Sequence, residues 1–224
     1  MAHRLQLCDT TPLHAVYCRQ ASVHAMLVQV LRCVVACLAG THGACMRCTP
    51  LHFSTQKLPP EKFGELDRQL AGQQAGLNAL TVEEYLAARA RFSPRERDGR
   101  VARRARTSWR CKLAASHAAA LEEAGCSADE AAARGAALAD RQMRSLHALH
   151  NPDRVVGGHD VIADFGDGQV NATIGRQWIL TRRDQLSRVG HLDAAAASVP
   201  AAARSTTFMN GWLLREEPDV STPS

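Results

Sequence analysis

The segment "SLHALHNPDRVVGG", residues 145–158, sets His150 and Asp153 three positions apart around a proline and follows them with paired glycines. Imidazole takes up a proton near neutral pH and a carboxylate keeps its charge for a cation, so the pair has the parts of a general base and a metal ligand. Both also have plain structural uses, Asp153 as a turn residue beside Pro152 and His150 as a hydrogen-bonded core histidine. Groups of the same kinds cluster nearby. His147, His159 and Asp160 are local polar partners, and Asp164, Asp167 and Asn171 offer oxygens that a hard divalent ion accepts. Gly157 and Gly158 let the backbone approach a ligand closely. Joined to arginines that hold a phosphate backbone, this is equipment for hydrolysing a phosphodiester, with His150 as the base and Asp153 either holding a Mg²⁺-type ion or orienting the imidazole, the alternative being that both Asp153 and His150 bind the metal.

Arginines are plentiful. The net charge is +5, and Lys57, Lys62 and Lys112 are the only lysines, so cationic recognition rests on planar guanidinium forks suited to phosphate. Between Arg95 and Lys112, Val101, Ala105 and Trp109 recur at four-residue spacing as a narrow apolar stripe. Arg100, Arg103, Arg104, Arg106 and Arg110 cover the rest of that helix, either as a solvated face or as one that contacts DNA phosphates.

The elements that must position these groups read as mainly α. With 224 residues the chain has room for one sizeable core, and a 46% apolar content that is rich in alanine but poor in aromatics packs helix against helix. We expect a helical domain with a small β-hairpin or short-strand element around 155–181, an α+β fold being the alternative. Residues 1–50 form a cysteine-rich leader, 51–215 the folded body and 216–224 a disordered tail. Cys8, Cys18, Cys33, Cys37, Cys45 and Cys48 crowd into the leader, unlike a disulfide framework, and "CMRC" has zinc-ribbon spacing without a second pair. The apolar run Met26–Gly40 contains Gln29 and Arg32 and is too short for a membrane span, so it is expected to be a buried or partner-bound helix.

Leucine spacing predicts a helix over 61–77, with Gly76 as its stop. "TVEE" at 81–84 and "SADE" at 127–130 are capping boxes, the first opening a helix to about Phe92 and the second a long alanine-rich helix reaching His150. On that helix His150 and His147 would share nearly one face. "DGQ" at 167–169 suits a hairpin turn between "HDVIADF" and "VNATI". Residues 193–204 are a linker or a short helix broken at Pro200.

Three ordered blocks, "RQLAGQQAGLNALTVEEYL", "LHNPDRVVGG" and "FGDGQVNATIGRQW", resemble the polymorphic toxin type 15 nuclease domain, whose hallmark is a His-x-x-Asp motif. The resemblance covers roughly residues 55–190. It implies a DNase using a divalent metal, delivered into competitors, commonly by type VI secretion, and acting in the target-cell cytoplasm. A cognate immunity protein and a possible secretion adaptor or chaperone are the implied partners. His150 and Asp153 would be the catalytic pair. Gly157, Gly158, Asn171, Gly175, Gln177 and Trp178 would belong to the supporting motif, and Gln69, Gln73 and Asn78 to the upstream block. The family usually has serine where this chain has Ala172 and Thr173. An RNase using the same pair, or a non-catalytic DNA-binding protein using the arginine helix, are the alternatives.

Overall fold

A computed structural model describes residues 44–93, 99–181 and 185–216, among which there are six α-helices and two two-stranded sheets. The mainly helical expectation holds. Helix α1 (Phe63–Asn78) buries Leu66, Leu70 and Leu77 together with Gln69 and Gln73. Gly76 does not stop it. A Cβ at Gly76 would sit 2.3 Å from the Asn151 carbonyl oxygen and 2.6 Å from the Pro152 nitrogen, so this residue is a notch that admits a crossing backbone.

Helix α2 (Val82–Arg91) begins with the expected capping box. Thr81 Oγ1 accepts from the Glu84 N–H at 3.2 Å, and Glu84 Oε2 accepts from the Thr81 N–H at 2.8 Å. Val82 and Tyr85 are buried, and Leu86 packs at the edge of the core. Pro94 and the start of the arginine-rich stretch, residues 95–98, lie outside the described residues.

Helix α3 (Gly99–Glu123) buries no residue fully and folds back against α4 (Ala128–Met143). Its stripe of Val101, Ala105 and Trp109 is half-buried, with Trp109 stacked on Phe165 at 5.6 Å. The second capping box is half made: Ser127 Oγ accepts from the Glu130 N–H, while the Glu130 carboxylate turns to Arg134 at 3.0 Å.

Helix α4 ends at Met143, not at His150. Residues Leu146–Leu149 form strand β2, antiparallel to β3 (Asp164–Asp167), with β1 being Thr49–Phe53. Arg106 on α3 donates to the Met143 and Leu146 carbonyls at this junction, and the ladder to β3 supplies backbone partners that outweigh local helix propensity. His147 and His150 therefore share no helical face; three positions apart on an extended chain, they belong to opposite sides.

The expected hairpin turn at 167–169 is a helix start. Asp167 accepts from the Gln169 and Val170 N–H groups at 2.9 and 3.0 Å and caps α5 (Gly168–Ile179), so "VNATI" is helical. The strand content of 155–181 is β3, whose partner lies upstream. Helix α6 (Arg188–Ala197) absorbs most of the alanine-rich run, and Pro200 starts a 3-10 turn at Ala201–Ala203.

Strand β4 (Gly211–Arg215) runs parallel to β1. On β4, Asn78 exchanges hydrogen bonds with Gly211 at 3.0 and 2.8 Å, and Gln74 accepts from the Leu213 N–H at 2.9 Å. Met46 of the leader joins this body, since it shares the core with Leu51, Phe53, Trp178, Ile174, Leu192 and Tyr85. No helix among the described residues is long and apolar enough to cross a membrane. Met26–Gly40, the rest of 1–43 and the tail from 217 lie outside the described residues.

Candidate active site

His150 leaves the end of β2, and its Nδ1 lies 3.2 Å from the His159 carbonyl oxygen and 3.0 Å from that of Val161. Carbonyl oxygens only accept, so Nδ1 carries the hydrogen in this network. In the neutral ring that tautomer leaves Nε2 with a bare lone pair.

Three residues on, across the cis Asn151–Pro152 bond, Asp153 starts the 3-10 turn Arg154–Val156, with Oδ1 accepting from the Val155 N–H at 3.0 Å. Its other oxygen faces α5. Among the described residues, and apart from the surrounding helix backbone and the two adjoining residues, Oδ2 is the one atom within 4 Å of the place a Gly175 Cβ would occupy, at 3.7 Å. Gly157 closes the turn at φ +90°, where a side chain is strained, and a Cβ on Gly158 would fall 1.9 Å from the Pro152 carbonyl oxygen, a backbone clash in this conformation.

The turn sits on α1. The Asn151 backbone enters the Gly76 notch, and the Asn151 side chain fills the space over Gly72, where a Cβ would meet Nδ2 at 2.7 Å. Helix α5 flanks it through Gly175 and, one turn earlier on the same face, the half-buried Asn171. This arrangement can do two things: take a proton at Nε2 and present a carboxylate oxygen to a cation or a water.

Residues 60–208 match the family described as Novel toxin 15. The chain belongs to the Novel toxin 15 family. It is a polymorphic-toxin domain. No curated protein matches it. The Novel toxin 15 span contains every described helix and the whole 150–158 turn but leaves out β1 and β4.

The remaining sequence-selected residues of this Novel toxin 15 domain are scattered by role. His147 is exposed on β2, its ring over Gly168 at the start of α5, where a Cβ would meet Nε2 at 2.6 Å. Asp160 is exposed on the following loop. Gln177 is buried and bridges to Ser54, accepting from its N–H at 2.8 Å and donating to its carbonyl at 3.0 Å. Trp178 is fully buried, donates to Gln73 Oε1 at 3.0 Å and meets Phe53 edge-on at 5.0 Å. Gln69 donates to Glu65 and to the Asp167 carbonyl. These amides and the indole hold α1, α5 and β1 together.

On α3, Arg106 holds the α4–β2 junction and Arg110 pairs with Asp140, while Arg100, Arg103 and Arg104 are exposed towards its beginning. Asp164 pairs with Arg68, and Asp167 with Lys62 at 2.9 Å. Burial alone would raise the Glu65 and Asp167 carboxyls. Hydrogen bonds and positive charge from Arg68 and from Lys62, respectively, instead hold them below the usual carboxylate range. Among the described residues no group of three or more His, Cys, Asp or Glu is placed to hold a metal.

Sequence reasoning missed one group beside the turn. Arg89 donates to the Val155 carbonyl at 2.8 Å and to both oxygens of Asp193, at 3.0 and 2.9 Å, and Tyr85 donates to the same carboxylate at 2.7 Å. Burial first, then the Asp193 carboxylate, pushes the Tyr85 hydroxyl well above its ordinary range. With Arg89 and Asp193 104 residues apart, no local pattern announces the pair.

Proposed function

We propose that this Novel toxin 15 domain is a metal-dependent DNase, delivered into competitor cells, that hydrolyses phosphodiester bonds with His150 and Asp153. The observation that carries the reading is the anchored Nδ1–H of His150, which leaves Nε2 able to take a proton, three residues before a carboxylate with one oxygen over a glycine. In this reading Nε2 accepts a proton from a water as its oxygen bonds to phosphorus. The bond from phosphorus to the leaving sugar oxygen breaks, and that oxygen takes a proton from solvent.

Three protein ligands, as a zinc enzyme needs, are not assembled among the described residues. A Mg²⁺-type ion fits better, because it keeps several waters and binds through one or two carboxylates plus substrate phosphate. Asp153 Oδ2 would hold it, leaving His150 Nε2 for the proton, and when bound it would neutralise charge on the phosphoryl oxygens. Arg103 and Arg104 supply exposed cations for the strand. Protection of the producer then calls for a cognate immunity protein, acidic where it covers these arginines.

Purified protein incubated with supercoiled plasmid and with total RNA, in Mg²⁺ or in chelator, tests this. The expected result is plasmid nicking in Mg²⁺, none in chelator, and intact RNA. Loss of RNA instead makes it an RNase. Plasmid binding that weakens steeply with salt and never cleaves makes it a DNA-binding protein.

Gly175 provides a second test. A glycine inside a helix costs about 1 kcal/mol relative to alanine, yet beyond its own helix an alanine methyl here would touch only Asp153 Oδ2, at an ordinary contact distance. Gly175→Ala is expected to raise stability by up to about 1 kcal/mol in a thermal melt. By covering Oδ2 it should also cut nicking about tenfold or more. A stabilised variant with undiminished nicking means that the space over Oδ2 has no role in catalysis.

A further inference from the structure

We propose that the Arg89–Asp193 pair positions Asp153, acting through Val155, so that Arg89 is a positioning residue of the nuclease site; this rests on the nuclease reading above. The route is short. Val155 is held by its carbonyl, which accepts from Arg89 Nη1 at 2.8 Å, and by its N–H, which donates to Asp153 Oδ1 at 3.0 Å. The orientation of the Asp153 carboxylate, and with it the direction of Oδ2 over Gly175, is set by a residue that Arg89 clamps.

The clamp is itself braced. Asp193 on α6 takes two donors from the guanidinium and is itself held by the Tyr85 hydroxyl, so rotating the fork breaks both bonds to Asp193 together with the one to the Val155 carbonyl. Helix α2 also supports the far end of the turn, because Gly157 lies against Tyr85 and Ala88, where a Cβ would meet their side chains at 3.3 and 3.7 Å. The pair is sheltered, with side chains 22% and 37% exposed, unlike the surface pair Arg134–Glu130 at 54% and 55%. Simple charge pairing would be satisfied by lysine. Holding a bidentate carboxylate and a carbonyl together needs the planar fork.

The experiment compares Arg89→Lys, Arg89→Ala and Asp193→Asn with the wild-type chain at a temperature where each is folded by near-ultraviolet circular dichroism. Asp67→Ala serves as the control, since it breaks an ion pair of similar exposure to Arg215 on β4. Plasmid cleavage in Mg²⁺ is expected to lose about 10–100-fold in kcat in Arg89→Lys, with KM within about twofold, while Asp67→Ala keeps its kcat despite any loss of melting temperature. Without substrate, Val155 amide exchange should quicken and the Asp153 carboxyl carbon resonance should move in Arg89→Lys. A kcat within twofold of wild type in a folded Arg89→Lys, or an unchanged Val155 amide and Asp153 resonance, overturns the proposal. If the wild-type chain cleaves no nucleic acid, the nuclease reading fails by itself, and the two resonance measurements alone decide whether the clamp orients Asp153.

Discussion

Asp153→Asn is expected to leave a folded protein that no longer nicks supercoiled plasmid in Mg²⁺. The amide oxygen can still accept from the Val155 N–H, so the 3-10 turn keeps its cap and only the negative charge is lost. His150→Ala should be as damaging, because removing a general base costs about 10²–10⁴-fold in rate. It should cost the fold little: His150 is half-exposed, and the carbonyls it releases belong to the exposed residues His159 and Val161, where water can replace it. Two groups that act as one unit give non-additive losses, so the double variant should be little worse than the worse single one. Nicking assays with melting curves measure both effects. Wild-type nicking by either folded single variant removes the pair from the reaction.

Gly76→Ala and Gly64→Ala lie in the same helix and are expected to have opposite signs. At Gly64 nothing lies within 4 Å of a new Cβ, so the alanine should be neutral or stabilise by up to about 1 kcal/mol. At Gly76 the Cβ would meet the Asn151 carbonyl oxygen at 2.3 Å, its carbon at 2.4 Å and the Pro152 nitrogen at 2.6 Å, all backbone atoms that cannot swing aside. Overpacking of this kind costs about 1–3 kcal/mol, occasionally more, which outweighs the helix gain. Each net kcal/mol lowers the melting temperature by about 2–4 °C in a chain of this size. Relief of the clash must push the 151–152 turn off α1, and His150 and Asp153 flank that turn, so nicking should fall further than the loss of stability explains. A Gly76→Ala variant that melts at or above the wild-type temperature would mean that the turn does not dock there.

The starts of α2 and α4, the leucine face of α1, the half-buried stripe of α3 and the His-x-x-Asp blocks were all readable in the chain, and so was the family. They are local: a hydroxyl reaching an N–H three residues on, or apolar residues one turn apart, involves neighbours in sequence whatever the rest does. The pairing of residues 146–149 with 164–167, the helical state of 168–179, the notch at Gly76 and the Arg89–Val155 clamp belong to the tertiary structure. For the notch and the clamp the deciding partner is remote, as Asn151 is from Gly76 and Asp193 is from Arg89, whereas α5 starts on its own Asp167 cap, a contact that a turn and a helix start share. An alanine-rich run gains only tenths of a kcal/mol per residue from staying helical, so a strand ladder and an arginine on its last carbonyls can end it early. His-x-x-Asp could be seen in the sequence, but which imidazole nitrogen stays bare and where the second carboxylate oxygen points depend on carbonyls and a glycine brought in by the fold.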